Sequence, residues 1–202
     1  MNMWIVSPQQ ALWLLLLAPV PVLAGHGFVT AFANIEGLPD PGRTPDSVWY
    51  RLDEWQEEGR LFMAGDSEAK VRLCLAFTRE KLAELEVMVK SKDVPAAEVA
   101  ADRYRFYVDR ARQITVAEAT GKEALAELMA HALLEHQYIL SVIYQELPVT
   151  TRVIVPQVIT AAQERYQDVS RLLPAKKKGP LFFKEEEVRW SVRMALRSET
   201  DS

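Results

Sequence analysis

The chain has 202 residues, 49% of them apolar and 26% charged. That balance places it among ordinary globular proteins and excludes a disordered, collagen-like or disulfide-stapled chain. Eight glycines and 11 prolines are too few for the tight turns of a β-sandwich or barrel, and one cysteine builds neither a disulfide framework nor a zinc cluster. A formal net charge of −4 argues against general nucleic-acid binding, which needs a net basic surface.

The charge is laid out unevenly, because every Lys, Arg, Asp and Glu lies from Glu36 onward. Within the uncharged part, Ala11 to Ala24 form an apolar run that is shorter than the roughly 20 residues a membrane-spanning helix needs, with Pro19 and Pro21 in its second half. It reads as a secretory signal peptide over residues 1–24, with Val22 and Ala24 as the small residues before the cut. Leu23-Ala24-Gly25 opens like a lipoprotein box, but His26 stands where the lipid-bearing thiol would be. The expected localisation is therefore exported, periplasmic or extracellular, and not a lipoprotein.

Residues 25–45, rich in turn formers from Leu38-Pro39-Asp40-Pro41-Gly42 onward, predict an extended lead-in. Five runs with apolar residues at spacings of three and four follow over residues 46–173. The first holds Val48, Leu52, Trp55 and Phe62, with Gly59 at the missing step. The second starts after the N-cap candidate Asp66 and holds Val71, Leu75, Leu82, Leu85 and Val89, broken only by Thr78. Cys74 falls within this helix and reads as a buried thiol. The third opens at Val94-Pro95 and carries Ala97, Ala101, Tyr104, Val108 and Ala111, small residues that admit a close neighbouring helix. The fourth follows Thr120-Gly121 with Leu125, Leu128, Ala132, His136, Ile139 and Ile143. The fifth holds Val155, Ile159, Ala162, Tyr166, Val169 and Leu173, with a kink expected at Pro156 and a short strand at 149–155 as the rival reading. The fold class is all-α: an antiparallel bundle of about five helices with an extended N-terminal lead-in and a short C-terminal helix, Glu185 to Arg197. Residues 174–202 form a basic-apolar tail, whose charge is opposite to that of the bundle.

The order of residues in these runs resembles a known family. Asp40-Pro41-Gly42-Arg43-Thr44-Pro45-Asp46-Ser47-Val48-Trp49-Tyr50-Arg51-Leu52 is similar to the lead-in of an exported helical family, the domain of unknown function numbered 5667. The likeness continues through Asp66 to Leu73, Phe77-Thr78-Arg79-Glu80-Lys81-Leu82-Ala83-Glu84, and His136 to Leu140, over roughly residues 38–173. The resemblance implies an extracytoplasmic helical domain and brings no activity or catalytic residues with it.

The candidate chemistry is sparse. Glu127, His131 and Glu135 stand one turn apart on one helical edge, so His131, Glu135 and the adjacent His136 are the weak metal candidates, though one edge alone cannot surround an ion. His136 also lies on the apolar stripe, where a neutral core histidine with one hydrogen-bond partner is the simpler expectation. His26 would flank a new N-terminus as a copper-binding candidate. No nucleophile elbow, Walker loop or dinucleotide fingerprint occurs, and charged groups such as Arg79-Glu80-Lys81 and Arg103 with Arg105 are expected on solvated faces. Trp49, Trp55, Tyr104, Phe106 and Tyr107 are expected to seal the bundle. In the tail, Lys176, Lys177 and Lys178 beside Phe182 and Phe183, with Trp190 beyond, combine charge with apolar anchors and form the partner-docking candidate. The expectation is thus a non-enzymatic exported domain without a cofactor, acting by protein–protein interaction with an envelope or extracellular protein. The alternative is a periplasmic metal- or small-ligand-binding module. Nucleic acid is not an expected partner, and the routes to membrane contact are an uncleaved N-terminus and the C-terminal tail.

Overall fold

A computed structural model describes residues 37–47, 50–147 and 151–197. The signal-peptide segment, His26 and Trp49 lie outside the described residues. Among the described residues there are six helices and no strand: α1 (Tyr50–Met63), α2 (Ser67–Ser91), α3 (Val94–Ala117), α4 (Lys122–Glu146), α5 (Ile154–Ser170) and α6 (Ala175–Arg197). The all-α bundle read from the periodicity is what the chain adopts. None of these helices is long and apolar enough to cross a membrane.

The boundaries follow local chemistry. The Asp66 carboxylate accepts the Ala69 N–H at 2.7 Å and starts α2; Asp93 does the same for Ala96 at 3.0 Å, with Pro95 in the first turn of α3. Gly121 takes the left-handed conformation, φ 76°, that turns the chain into α4. Two sets of ion pairs fix the directions. Arg79–Glu135 at 3.0 Å and Lys90–Glu146 at 3.2 Å join α2 to α4, while Asp109–Arg165 and Arg112–Asp168, the latter at 3.6 Å, join α3 to α5. In each set both positions advance together, so α2 runs parallel to α4 and α3 to α5, and chain neighbours reverse.

The core lies among α2, α3, α4 and α5. The broadest contact is between α2 and α3, where Ala96, Ala97, Ala100 and Ala101 are buried and their small side chains let the backbones approach. Cys74 is buried there as a free thiol, and burial pushes its pKa up to about 11, which keeps it protonated and unreactive.

Three expectations change. Pro156 falls in the first turn of α5, where its missing N–H has no intrahelical partner to lose, so it demands no kink. The last helix begins at Ala175 and not at Glu185, running through Gly179-Pro180. A proline inside a helix costs about 3 kcal/mol. Here it lies on the exposed side, where water reaches the freed carbonyl, and burial of Leu181, Val188, Val192 and Ala195 against α4 offsets it. The tail is thereby part of the bundle, with Ser191 bonded to Ser141 of α4 at 2.6 Å.

The third change concerns α1. Leu52, Trp55 and Phe62, expected to cover the bundle, are exposed, Trp55 by 76% and Phe62 by 90%, and Phe106 of α3 is exposed as well. Tyr104 and Tyr107 are buried as expected. The helix has turned its opposite face inward, the one that carries Tyr50, Glu57 and Leu61.

Candidate functional site

The reason for that orientation lies under α1. Lys81, expected on a solvated face, is 1% exposed, and Glu84 and Glu57 are buried beside it. The Lys81 ammonium donates to Glu57 Oε1 at 2.9 Å and to Glu84 Oε1 at 2.7 Å. The Tyr107 hydroxyl donates to Glu57 Oε2, the Tyr50 hydroxyl donates to Glu84 Oε2 at 3.2 Å, and the ammonium stands 5.0 Å from the centre of the Tyr50 ring. Side chains from α1, α2 and α3 thus close around one cation. A surface with this much buried charge binds a helix through its polar face, and the apolar stripe of α1 is left outward.

The electrostatics follow from two carboxylates sharing one ammonium. Burial alone would lower the Lys81 pKa, but Glu84 and Glu57 outweigh it and raise it, so the lysine stays charged. Glu84 has only a share of that cation; burial pushes its carboxyl up to about 7 against the pull of Lys81 and Tyr50. Burial also raises both phenols, which remain donors. Every oxygen of the two carboxylates accepts a bond from the chain. The cluster is built as a clamp that fastens α1, beside a hollow of about 210 Å³ closed by Asp40 to Arg43 of the lead-in.

On the other flank of α1 an open cleft of about 1060 Å³ runs between α1 and α3. Trp55 and Phe62 form one wall and Phe106 and Ile114 the other, with Lys70 and Arg110 at its sides. Neither cation forms an ion pair with a carboxylate among the described residues.

The residues singled out from sequence are dispersed. Glu135 pairs with Arg79, and Glu127 pairs with Lys177 at 2.8 Å. His131 receives the Lys184 ammonium at 3.4 Å; burial and that lysine lower its pKa. The supposed ligand row is therefore a row of contacts from α4 to basic residues on α2 and α6. His136 points the other way, fully buried, with Nδ1 3.2 Å from the Tyr104 hydroxyl and Nε2 without a partner; burial drives its pKa down to about 3. His131, Glu135 and His136 do not converge, and no group of three or more His, Cys, Asp or Glu is placed to hold a metal among the described residues. Of the tail residues, Lys177 is tied to Glu127, while Lys176, Lys178, Phe182, Phe183 and Trp190 remain exposed.

The buried cluster was missed because its residues are charged. A signal existed: Cys74, Phe77, Lys81, Glu84 and Met88 repeat at spacings of three and four, a second stripe on α2 beside the apolar one.

A model of the family described as domain of unknown function (DUF5667) matches residues 42–150, more than half of the chain. The chain belongs to the DUF5667 family. The matched stretch takes in α1 to α4, the clamp and the cleft, while α5 and α6 lie beyond it. The arginine-glutamate stretch that carries the resemblance in sequence is the one that supplies Lys81 and Glu84. No curated protein and no solved structure matches the chain.

Proposed function

We propose that this DUF5667 chain is an exported, non-enzymatic helical domain that acts by protein–protein interaction in the cell envelope, with the cleft beside α1 as its working surface. The observation that carries the reading is the orientation of α1. Its polar face is clamped to the bundle, while Trp55 and Phe62 are left in solvent along a cleft open to the outside. Exposed apolar surface on this scale marks interaction sites, and aromatic side chains are the usual anchors of an interface. The cleft fits an amphipathic helix of another protein. An apolar ridge would lie between the Trp55/Phe62 and Phe106/Ile114 walls, and flanking carboxylates would meet Lys70 and Arg110, which form no ion pair with the Glu58 and Glu118 that also line the cleft. Export rests on the N-terminal segment.

A photo-crosslinking residue at position 62, with position 142 on the outer side of α4 as control, tests the reading in cells. The expected adduct maps to an acidic amphipathic segment of another protein and weakens with Lys70→Glu and Arg110→Glu. An adduct to residues 25–36 of the same chain, to a second copy, or equal labelling from position 142 overturns it. Mass spectrometry of the N-terminus, with protease access to intact cells or spheroplasts, checks export: a chain retaining residues 1–24 and shielded from protease removes that part.

A further inference from the structure

The exposed face of α6 differs from the cleft in shape and in charge. Leu181, Val188, Ser191, Val192 and Ala195 are buried on the inner side. At helical spacing on the opposite side stand Lys176, Phe183, Trp190, Met194 and Arg197, with Phe182 and Arg193 alongside. Phe183 is 76% and Trp190 63% exposed, and the Phe182 and Phe183 rings pack edge-on at 5.8 Å. The surface is the ridge of a single helix of about 35 Å. It offers no groove for a peptide.

Its charge is arranged by the structure in a way the sequence conceals. The run Glu185-Glu186-Glu187 looks like a barrier to an anionic surface. Glu185 and Glu186 are both engaged by Arg189, at 2.7 and 2.6 Å, and Glu185 also accepts from Tyr166 at 2.9 Å. Lys176, Lys178 and Arg193 form no ion pair with a carboxylate among the described residues. The helix holds seven Lys and Arg against three Glu in a chain whose net charge is −4. An aromatic centre is thus bracketed by Lys176 and Lys178 on one side and Arg193 on the other, in a protein that is otherwise acidic.

We propose that the outer face of α6 docks onto an anionic lipid surface, with the helix lying in the plane of the headgroups. Phe182, Phe183, Trp190 and Met194 enter the interfacial layer, and Lys176, Lys178 and Arg193 meet the lipid phosphates. Binding to a charged plane accounts for a convex ridge with cations at its ends. It also orients the molecule, since the α1 cleft is built on the other end of the helix succession and α6 contacts the bundle through α4.

Co-sedimentation of the purified full chain with vesicles tests this directly, comparing equal parts phosphatidylglycerol and phosphatidylcholine with phosphatidylcholine alone. The anionic vesicles are expected to retain the protein and to release it as salt rises. Phe183→Ser with Trp190→Ser, and separately Lys176→Glu with Arg193→Glu, are each expected to weaken retention by about tenfold or more. These side chains are exposed, so far-UV circular dichroism and thermal unfolding should match the parent. Val142→Ser, exposed on the outer side of α4, should leave retention unchanged. Equal retention on both vesicle types overturns the proposal, as does undiminished binding by the α6 variants, which would assign it to the N-terminal apolar run. A photo-crosslink from position 190 to protein rather than to lipid overturns it as well.

Discussion

Helices α1 and α6 both leave large aromatic side chains in solvent, but they are fastened to the bundle by opposite means. The last helix is held by an apolar seam, Leu181, Val188, Val192 and Ala195, and its outer side carries a second apolar set. The first is held chiefly by a buried cation, its two carboxylates and the two phenols that donate to them, and its one continuous apolar stripe faces outward. Attachment by burial tolerates small losses gradually, because each methylene contributes separately. A buried ionic clamp fails when one partner is removed, because the others remain desolvated and unmatched.

The sharpest way to break the comparison is Lys81→Met. It strips two buried carboxylates of their cation and is expected to cost about 3–5 kcal/mol in urea unfolding. Removing the charges together, Glu57→Gln with Lys81→Met and Glu84→Gln, should return much of that stability; if Lys81→Met costs less than about 1 kcal/mol, the clamp is not what holds α1. On the other side of the comparison, Leu181→Ala is expected to cost about 2–4 kcal/mol through lost burial and a cavity. Protease cleavage confined to α6, with the rest of the bundle intact, would show that its seam is independent of the core.

The pH response sharpens the contrast further. Glu84 has a folded pKa of about 7, raised from 4.5, so its contribution is complete below about 4.5 and is lost as pH rises through 7. His136 is depressed from 6.5 to about 3, so its contribution is complete above 6.5 and is lost as pH falls toward 3. Between pH 4.5 and 6.5 the two slopes oppose each other. Glu84→Gln should therefore leave stability rising with pH across that window, and His136→Asn should leave it falling, each differing from the parent by on the order of 1–3 kcal/mol over the full range. Parallel curves for parent and Glu84→Gln would remove Glu84 from the account. The smallest effects belong to the outward faces: Phe62→Ala and Trp190→Ala should each change the unfolding free energy by no more than about 0.5 kcal/mol. A larger loss at either would mean that the face is already covered within the protein.

Periodicity made the helices legible because apolar spacing and capping are local properties. Asp66 and Pro95 mark their ends in sequence and in space, and His136 lies buried, as its place on the apolar stripe required, as does Cys74 within its helix. The metal candidates illustrate the limit of that reading. His131 and Glu135 are one turn apart as their spacing demands, but their partners, Lys184 and Arg79, come from helices distant in the chain. The sequence predicts the last helix only from Glu185, and the ten residues before it, with Pro180 among them, are held helical by burial that is not local.

The all-helical character, the ends of most helices, the family resemblance and the side chains apolar enough to anchor something are local properties and can be read along the chain, whereas the start of α6 cannot. Which face of α1 turns inward is settled only by packing, since it depends on Lys81 and Tyr107 meeting Glu57, and Glu84 meeting Tyr50, across three helices. The same holds for α6, where Arg189 and Tyr166 engage Glu185 and Glu186, while Lys176 and Lys178 form no ion pair with a carboxylate among the described residues. Charge is written along the chain, but its pairing depends on distances that exist only after the helices have packed.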